Sequence, residues 1–159
     1  METRQAKPSF TVEFEIEPRG KVSGVASVVH LGQTNGDRLP ACWFHSGTYR
    51  LHCCTYSSRR GVGNYCLDGR DAPPGIRKIK IELDTAHVMR LYEDGDLVGS
   101  RGDIPSAINH VNGESHPLYM SDPWYPAANV AIRGLTWDGK IVASAQSDGP
   151  PWHPAVQSR

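Results

Sequence analysis

The chain has 159 residues, enough for one domain with a sizeable hydrophobic core. Its 17 basic and 17 acidic residues balance, which argues against a nucleic-acid-binding or polybasic membrane surface, since both need an excess of basic residues. No apolar run approaches the roughly 20 residues of a membrane helix, so we expect no membrane insertion.

Alternating apolar and polar residues predict short strands along the chain. In Ser9–Glu17 every second residue is apolar, which is typical of a half-buried strand. Further strands are predicted at Lys21–Leu31, Leu39–His45, Tyr49–Tyr56, Ile76–Leu83, His87–Tyr92, Asp96–Val98, Leu118–Met120, Val130–Trp137 and Lys140–Ala145. About ten strands without a convincing amphipathic helix predict an all-β fold, with two antiparallel sheets packed as a jelly-roll sandwich.

The domain boundaries follow from composition. We expect residues 1–8 to be loose and residues 9–146 to form a single sandwich domain. Residues 147–159 are rich in Pro, and we expect them to be an unstructured or surface-draped tail.

Residues 38–66 contain all four cysteines and predict a hairpin with its turn at Ser46-Gly47-Thr48. With this turn, residue 42 lies opposite residue 53, and residue 44 lies opposite residue 51. Side chains alternate across a strand, so the hairpin has two faces. The apolar face, expected in the core, holds Cys42, Phe44, Leu51 and Cys53, and the other face holds Trp43, His45, Arg50, His52 and Cys54.

The four cysteines allow three disulfide connectivities. We favour Cys54–Cys66, which would close an Arg-, Gly- and Ser-rich loop. Cys42 and Cys53 lie opposite each other, and either form a second disulfide or stay as buried thiols. Disulfides indicate an oxidising compartment, whereas METRQAKPSF has no apolar signal segment. We therefore expect an extracellular or secreted domain of a longer chain.

Zinc is the rival interpretation of this cysteine-rich segment, because His45 and His52 lie close by. The segment has no CxxC, and Cys42 and His45 lie on opposite faces of one strand. Zinc ligands must converge on one point, so we favour disulfides over zinc.

Four segments, in this order, resemble extracellular domains with a concanavalin A-like or laminin G-like jelly roll: FTVEFEIEP, GDRLPACWFHSGTYRLHCC, RLYEDGDLV and PLYMSDPWYPAANVAIRGL. In that group an opening F-x-V-x-F-x-I strand packs beside a closing A-x-I-x-x-L strand, with a strand–DG–strand hairpin between them. The resemblance covers most of residues 9–137. It implies a non-catalytic glycan-binding (lectin-like) or adhesive module. Some members bind calcium, and here Asp122 and Asn129 match a calcium site only loosely.

A glycan or an extracellular protein is thus the expected partner. An aromatic ring can stack on the apolar face of a sugar while polar neighbours fix its hydroxyls. The candidate ligand-binding residues are Trp43, His45, Arg50, His52, Trp124 and Tyr125. Two competing interpretations remain: that a loop covers Trp43, and that the proline-flanked loop of Trp124 and Tyr125 plugs the end of the sandwich.

A glycoside hydrolase is the first alternative function. Glu13, Glu15 and Glu17 lie on one face of one strand, about 6.6–7 Å apart, and paired carboxylates hydrolyse glycosides. The strand is similar to the E-x-D-x-E strand of laminarinase-like glucanases, but Glu15 replaces their Asp and their strand lies deep in the chain. We favour a solvated outer face.

Two further possibilities concern contacts with other proteins. Arg101-Gly102-Asp103 is an RGD tripeptide that could present a cation and a carboxylate to an integrin-type receptor. A structural or self-assembly role in a matrix or cell-surface protein is the second alternative function. In that case Ser121–Pro126 would pack against a neighbouring copy.

Overall fold

The computed structural model describes residues 3–5, 9–32, 34–57, 62–104, 115–138, 140–141 and 147–148. These residues form thirteen strands. The described part of the chain contains no helix that is long and apolar enough to cross a membrane. The strands are β1 (Thr3–Gln5), β2 (Phe10–Gly20), β3 (Ala26–Leu31), β4 (Asp37–Phe44), β5 (Leu51–Ser57), β6 (Val62–Asp68), β7 (Arg77–Leu83), β8 (Met89–Glu93), β9 (Asp96–Arg101), β10 (Ser115–Tyr119), β11 (Asn129–Trp137), β12 (Lys140–Ile141) and β13 (Ser147–Asp148).

The strands form two antiparallel sheets. The first has six strands in the order β1-β10-β3-β4-β5-β6, and the second has the order β12-β11-β2-β7-β8-β9, with β13 added beside β11. Apolar side chains from the two sheets form one core between them. The predicted all-β sandwich of two antiparallel sheets is confirmed.

The core contains the residues that the alternating pattern assigned to it. Phe10, Val12, Phe14 and Ile16 are buried, because they share the inner face of β2. Fully burying a side chain of this size contributes roughly 1.5–3 kcal/mol. Ile16 lies opposite Ile132 of β11, so the opening and closing strands pair as expected.

The central hairpin has the predicted register. Across β4 and β5, Cys42 lies opposite Cys53 and Phe44 lies opposite Leu51, and all four side chains belong to the core. The Asp94-Gly95 turn between β8 and β9 also forms as predicted, with φ of 51° and 84°. Positive φ at both central residues gives this turn the twist of the strands it joins.

β2 runs past the predicted end of the first strand at Glu17 and continues to Gly20. In this last part β2 pairs only with β11, and the register shifts between Pro18 and Gly20. Proline cannot donate to the ladder and is tolerated at such an irregularity. The next strand then begins at Ala26 rather than at Lys21.

The ends of strand pairing differ from the expected domain boundaries. Residues 3–5 form β1 and pair with β10, and residues 147–148 form β13 and pair with β11. Most of the expected tail, residues 149–159, lies outside the described residues.

A buried ion pair lies at one end of the interior. Arg77 Nη1 of β7 lies 3.3 Å from Glu93 Oε2 of β8, and both side chains are nearly inaccessible. Arg77 also donates to the carbonyl of Tyr49, and the Arg70 N–H donates to Glu93 Oε1 at 3.3 Å. A β-carbon at Gly69 would collide with Glu93 Oε1, so a larger residue there would displace the Glu93 carboxylate. These contacts tie the second sheet to the loops beside β5 and β6.

Candidate functional site

Trp43 is covered, which contradicts its predicted role as an exposed sugar-stacking ring. It lies on the outer face of the six-stranded sheet and is only 2% exposed. It forms a small second apolar cluster with Ala41 and Cys54, and Tyr125 packs on it edge-on at 5.5 Å between ring centroids. The Arg38 guanidinium lies 4.7 Å from the ring centroid. Trp43 therefore supports the loop above it.

The loop of Trp124 and Tyr125 folds over this outer face because Asp122 holds its backbone. Asp122 Oδ1 accepts hydrogen bonds from the N–H groups of Trp124 at 3.1 Å and Tyr125 at 2.9 Å. The Asp122 N–H donates to Ser27 Oγ at 2.9 Å, and backbone hydrogen bonds join Pro126 and Ala128 to Ser27. The loop is thus fastened to β3, and its two aromatic rings pack against His30 and Trp43.

This arrangement gives Asp122, the loose match to a calcium ligand, partners within the protein. Its other oxygen, Oδ2, lies 3.1 Å from His30 Nδ1, so protein donors occupy both oxygens. Asn129 lies at the start of β11, opposite Gly20. Among the described residues, neither of the two convergent groups of His, Cys, Asp or Glu includes Asp122.

His30 completes the support of the loop. Its Nε2 lies 3.2 Å from the carbonyl oxygen of Thr34, and its side chain is fully buried. The Asp122 carboxylate and the Thr34 carbonyl oxygen are hydrogen-bond acceptors, one beside each ring nitrogen. The sequence analysis missed His30, because a histidine within the apolar strand ASVVHL carries no signal that distinguishes it from a core residue.

Trp124 remains accessible above this support. Its ring centroid lies 5.0 Å from that of His30 and 5.9 Å from that of Tyr119, and the residue is 38% exposed. Tyr125 is half-buried. A rigidly held indole with an accessible surface is the kind of group that stacks on a sugar ring.

A polar cluster lies beside the aromatic loop on the same face. His45 Nε2 and His52 Nδ1 lie 2.6 and 2.7 Å from the same atom, Asp68 Oδ1. The Arg50 guanidinium donates from Nε to the Gly69 carbonyl at 2.8 Å, and its Nη2 lies 3.9 Å from Asp68 Oδ2. The side chains of His45, Arg50, His52 and Asp68 are all partly exposed, so this cluster can reach a ligand.

Asp68 is the anionic centre of the cluster. Partial burial would raise the pKa of its carboxyl, but hydrogen bonds from His45 and His52 outweigh that effect and lower the pKa. The sequence analysis did not select Asp68, although the predicted Cys54–Cys66 pair contained the signal. If residue 54 lies opposite residue 66 in an antiparallel pair, residue 52 lies opposite residue 68, as it does here.

The polar cluster and the aromatic loop form one surface. Trp43 contacts both, with ring centroids 6.4 Å from His52 and 5.5 Å from Tyr125. The accessible residues of this outer-face site are His45, Arg50, His52, Asp68, Trp124 and Tyr125. Five of the six predicted ligand-binding residues thus lie on one face, and Trp43 lies beneath them.

The cysteines divide into one disulfide and two thiols. Cys54 and Cys66 are bonded, across β5 and β6. Cys42 and Cys53 are free and buried, so the second disulfide that the sequence allowed is not formed. Burial, and next a hydrogen bond with Cys42, raises the pKa of the Cys53 thiol well above its ordinary value.

The three glutamates of β2 lie on the outer face of the other sheet. Glu17 forms an ion pair with Arg133 at 2.8 Å, while Glu13 and Glu15 lie directly across from Lys80 and Lys78. Cross-strand pairs of opposite charge are typical of a solvated sheet face. The geometry favours that interpretation over a pair of catalytic carboxylates.

The RGD tripeptide has its two charges paired with each other. Arg101 Nε and Nη2 donate to Asp103 Oδ1 and Oδ2, each at 2.7 Å. Arg101 also lies over the Tyr65 ring, at 5.1 Å from its centroid. A receptor would have to break this bidentate pair before either charge could bind it.

The fold is a β-sandwich of two antiparallel sheets, and it is similar to the folds of several solved structures. The chain matches no protein-family model and no curated protein sequence. Among solved structures, 74 chains match its fold.

One similar structure is of botulinum neurotoxin type C, whose cell entry depends on interaction with two ganglioside molecules. It is 11% identical to this chain with a TM-score of 0.60, and the match covers 85% of this chain and 33% of that one. A botulinum neurotoxin DC binding domain in complex with SialylT has 14% identity and a TM-score of 0.51, covering 65% and 26%. The Ruminococcus gnavus IT-sialidase CBM40 bound to α2,3-sialyllactose has 14% identity and a TM-score of 0.51, covering 66% and 57%. This chain thus spans between about a quarter and three fifths of the chains it resembles.

Proposed function

We propose that the chain is a non-catalytic carbohydrate-binding module of an extracellular protein, with its ligand on the outer-face site. The observation that carries this proposal is Trp124, an indole held rigidly by Asp122 and His30 yet 38% exposed. Beside it, Arg50 and the two imidazoles supply donors, and Asp68 supplies an acceptor, for sugar hydroxyl or carboxylate groups.

Three observations support this function. The opening strand β2 and the closing strand β11 pair with each other in a two-sheet β-sandwich. Similar sandwiches are found in botulinum neurotoxin type C, whose cell entry depends on two ganglioside molecules, and in a sialidase CBM40 bound to α2,3-sialyllactose. The Cys54–Cys66 disulfide suits an oxidising, extracellular location.

A glycan array tests the proposal. We expect the purified domain to bind a selective set of glycans, and Trp124→Ala to weaken that binding roughly tenfold or more. Leu97→Ala, which truncates an exposed apolar side chain on β9, is the matched control and should leave the binding unchanged. Running the array in calcium and again in a chelator decides whether glycan binding needs a metal. A blank array in both conditions would contradict the proposal, and self-association would then be measured.

A further inference from the structure

We propose that His45, His52 and Asp68 form a binding site for a divalent transition-metal ion such as Zn²⁺. This ligand set differs from one that includes Cys42, which the sequence disfavours because Cys42 and His45 lie on opposite faces of one strand. It does not depend on the proposed glycan function. Imidazole nitrogens and a carboxylate oxygen are standard zinc ligands, and three of them leave a tetrahedral ion with one open position.

The strand register brings the three side chains together. His52 of β5 lies directly opposite Asp68 of β6, and His45 follows β4 on the other side of β5. His45 therefore lies diagonally across from His52 on the same face, with ring centroids 4.7 Å apart. Two neighbouring strands supply His52 and Asp68, and His45 directly follows β4, where its backbone N–H donates to the Arg50 carbonyl at 3.0 Å.

The ligand atoms already converge on one point. His45 Nε2, His52 Nδ1 and an Asp68 carboxylate oxygen all lie within 4.8 Å of one another. Ligands at about 2.0–2.1 Å from a tetrahedral ion are about 3.4 Å apart, so side-chain shifts of under about 1 Å suffice. Without metal, both imidazoles compete for the single oxygen Asp68 Oδ1. An ion would replace the two protons that lie between these three atoms.

The surroundings of His52 allow a metal ion to bind at Nδ1. A metal-binding Nδ1 must be unprotonated, which places the ring proton of neutral imidazole on Nε2. His52 Nε2 lies 3.2 Å from Cys54 Sγ, and this disulfide sulfur is a weak acceptor that cannot donate. The metal-bound tautomer thus satisfies both ring nitrogens. Because Cys54 and Cys66 are bonded to each other, they supply no thiolate, and the histidine–aspartate group is the one available in the oxidised protein.

Zinc titration of the untagged, oxidised protein tests the site. We expect one Zn²⁺ per chain by calorimetry, and NMR shifts confined to the imidazoles of His45 and His52 among the described histidines, with His30 and His87 unchanged. His45→Ala and Asp68→Asn should each weaken zinc binding at least about tenfold, since even the loss of a residue that supports a ligand costs about 10–100-fold.

Asp96→Asn is the matched control, because Asp96 is an exposed aspartate paired with Arg70 outside the cluster. It should leave the zinc affinity unchanged. A zinc affinity that neither His45→Ala nor Asp68→Asn alters would overturn the proposal, as would a dissociation constant weaker than about 1 mM. Glycan binding by a protein that takes up no zinc would leave the proposed function intact, so the two proposals fail separately.

Discussion

The side chains of His30 and Asp122, 92 positions apart in the sequence, lie 3.1 Å from each other with no exposure to solvent. The pair joins a central strand of one sheet to the loop that carries Trp124. Asp122 also caps two backbone N–H groups of that loop. One carboxylate therefore determines both the position of the loop and the pairing of a buried imidazole.

Removing this carboxylate should loosen the outer-face site. We expect Asp122→Ala to lower the free energy of unfolding by roughly 3 kcal/mol, because the buried His30 Nδ1 loses the Asp122 oxygen and two backbone N–H groups lose their cap. Urea denaturation measures the change. Asp122→Asn keeps an acceptor for the loop and should cost less. An Asp122→Ala variant as stable as the wild type would contradict the assigned role.

The thiol count tests the assignment of the cysteines. Alkylation in denaturant without reductant should label two thiols per chain, Cys42 and Cys53, and reduction should raise the count to four. In the native protein both thiols should react slowly, because they are buried and the pKa of Cys53 is raised. Mass spectrometry reads each count directly. Four labelled thiols before reduction would disprove the disulfide.

The interior ion pair should be costly to break. Glu93→Ala leaves the Arg77 guanidinium buried without its carboxylate, and we expect a loss of about 3–5 kcal/mol in unfolding free energy. Asp96→Ala breaks the exposed pair with Arg70 and serves as the control, with an expected loss of less than about 1 kcal/mol. Equal losses in the free energy of unfolding for the two substitutions would contradict the larger cost expected for the interior pair.

Acid should destabilise the fold partly through Asp84. The hydrogen bond from Arg90, and then that from the Val88 N–H, lowers the pKa of the Asp84 carboxyl in the folded state. A lowered folded-state pKa contributes stability that is present above the unfolded-state value and is lost as the pH falls through the folded one. We expect Tm to fall below about pH 4.

Asp84→Asn should reduce this acid sensitivity, since the amide does not titrate. Thermal melts of both proteins between pH 7 and pH 2 measure the difference. Parallel Tm curves for the variant and the wild type would show that Asp84 does not contribute.

The sequence predicted those features that depend on local period and turn chemistry. The alternation in β2 assigns its inner face, and the turn at Ser46-Gly47-Thr48 sets which residues of β4 and β5 pair. A register derived in this way places His45, Arg50 and His52 on one outer face. These properties follow from the two-residue repeat of a strand, so they need no tertiary information.

What the sequence did not predict depends on contacts between distant segments. Trp43 was correctly placed on the outer face, but only the fold shows that Tyr125 covers it. The sequence matches Asp122 loosely to a calcium ligand, whereas in the fold its carboxylate lies beside the His30 ring. Asp68 lies at the end of β6, where the sequence shows no alternation of apolar and polar residues. Only the pairing of β5 with β6 places it opposite His52.

The affinity of Trp124→Ala for the strongest-binding glycan is the most direct test of the proposed outer-face site. The account predicts that binding falls roughly tenfold or more, because loss of one stacked ring at a single-sugar site removes about 1.4 kcal/mol or more. Leu97→Ala should bind like the wild type, and both variants should keep the wild-type Tm. Unchanged glycan affinity in a folded Trp124→Ala protein would contradict the account and place the sugar elsewhere on the molecule.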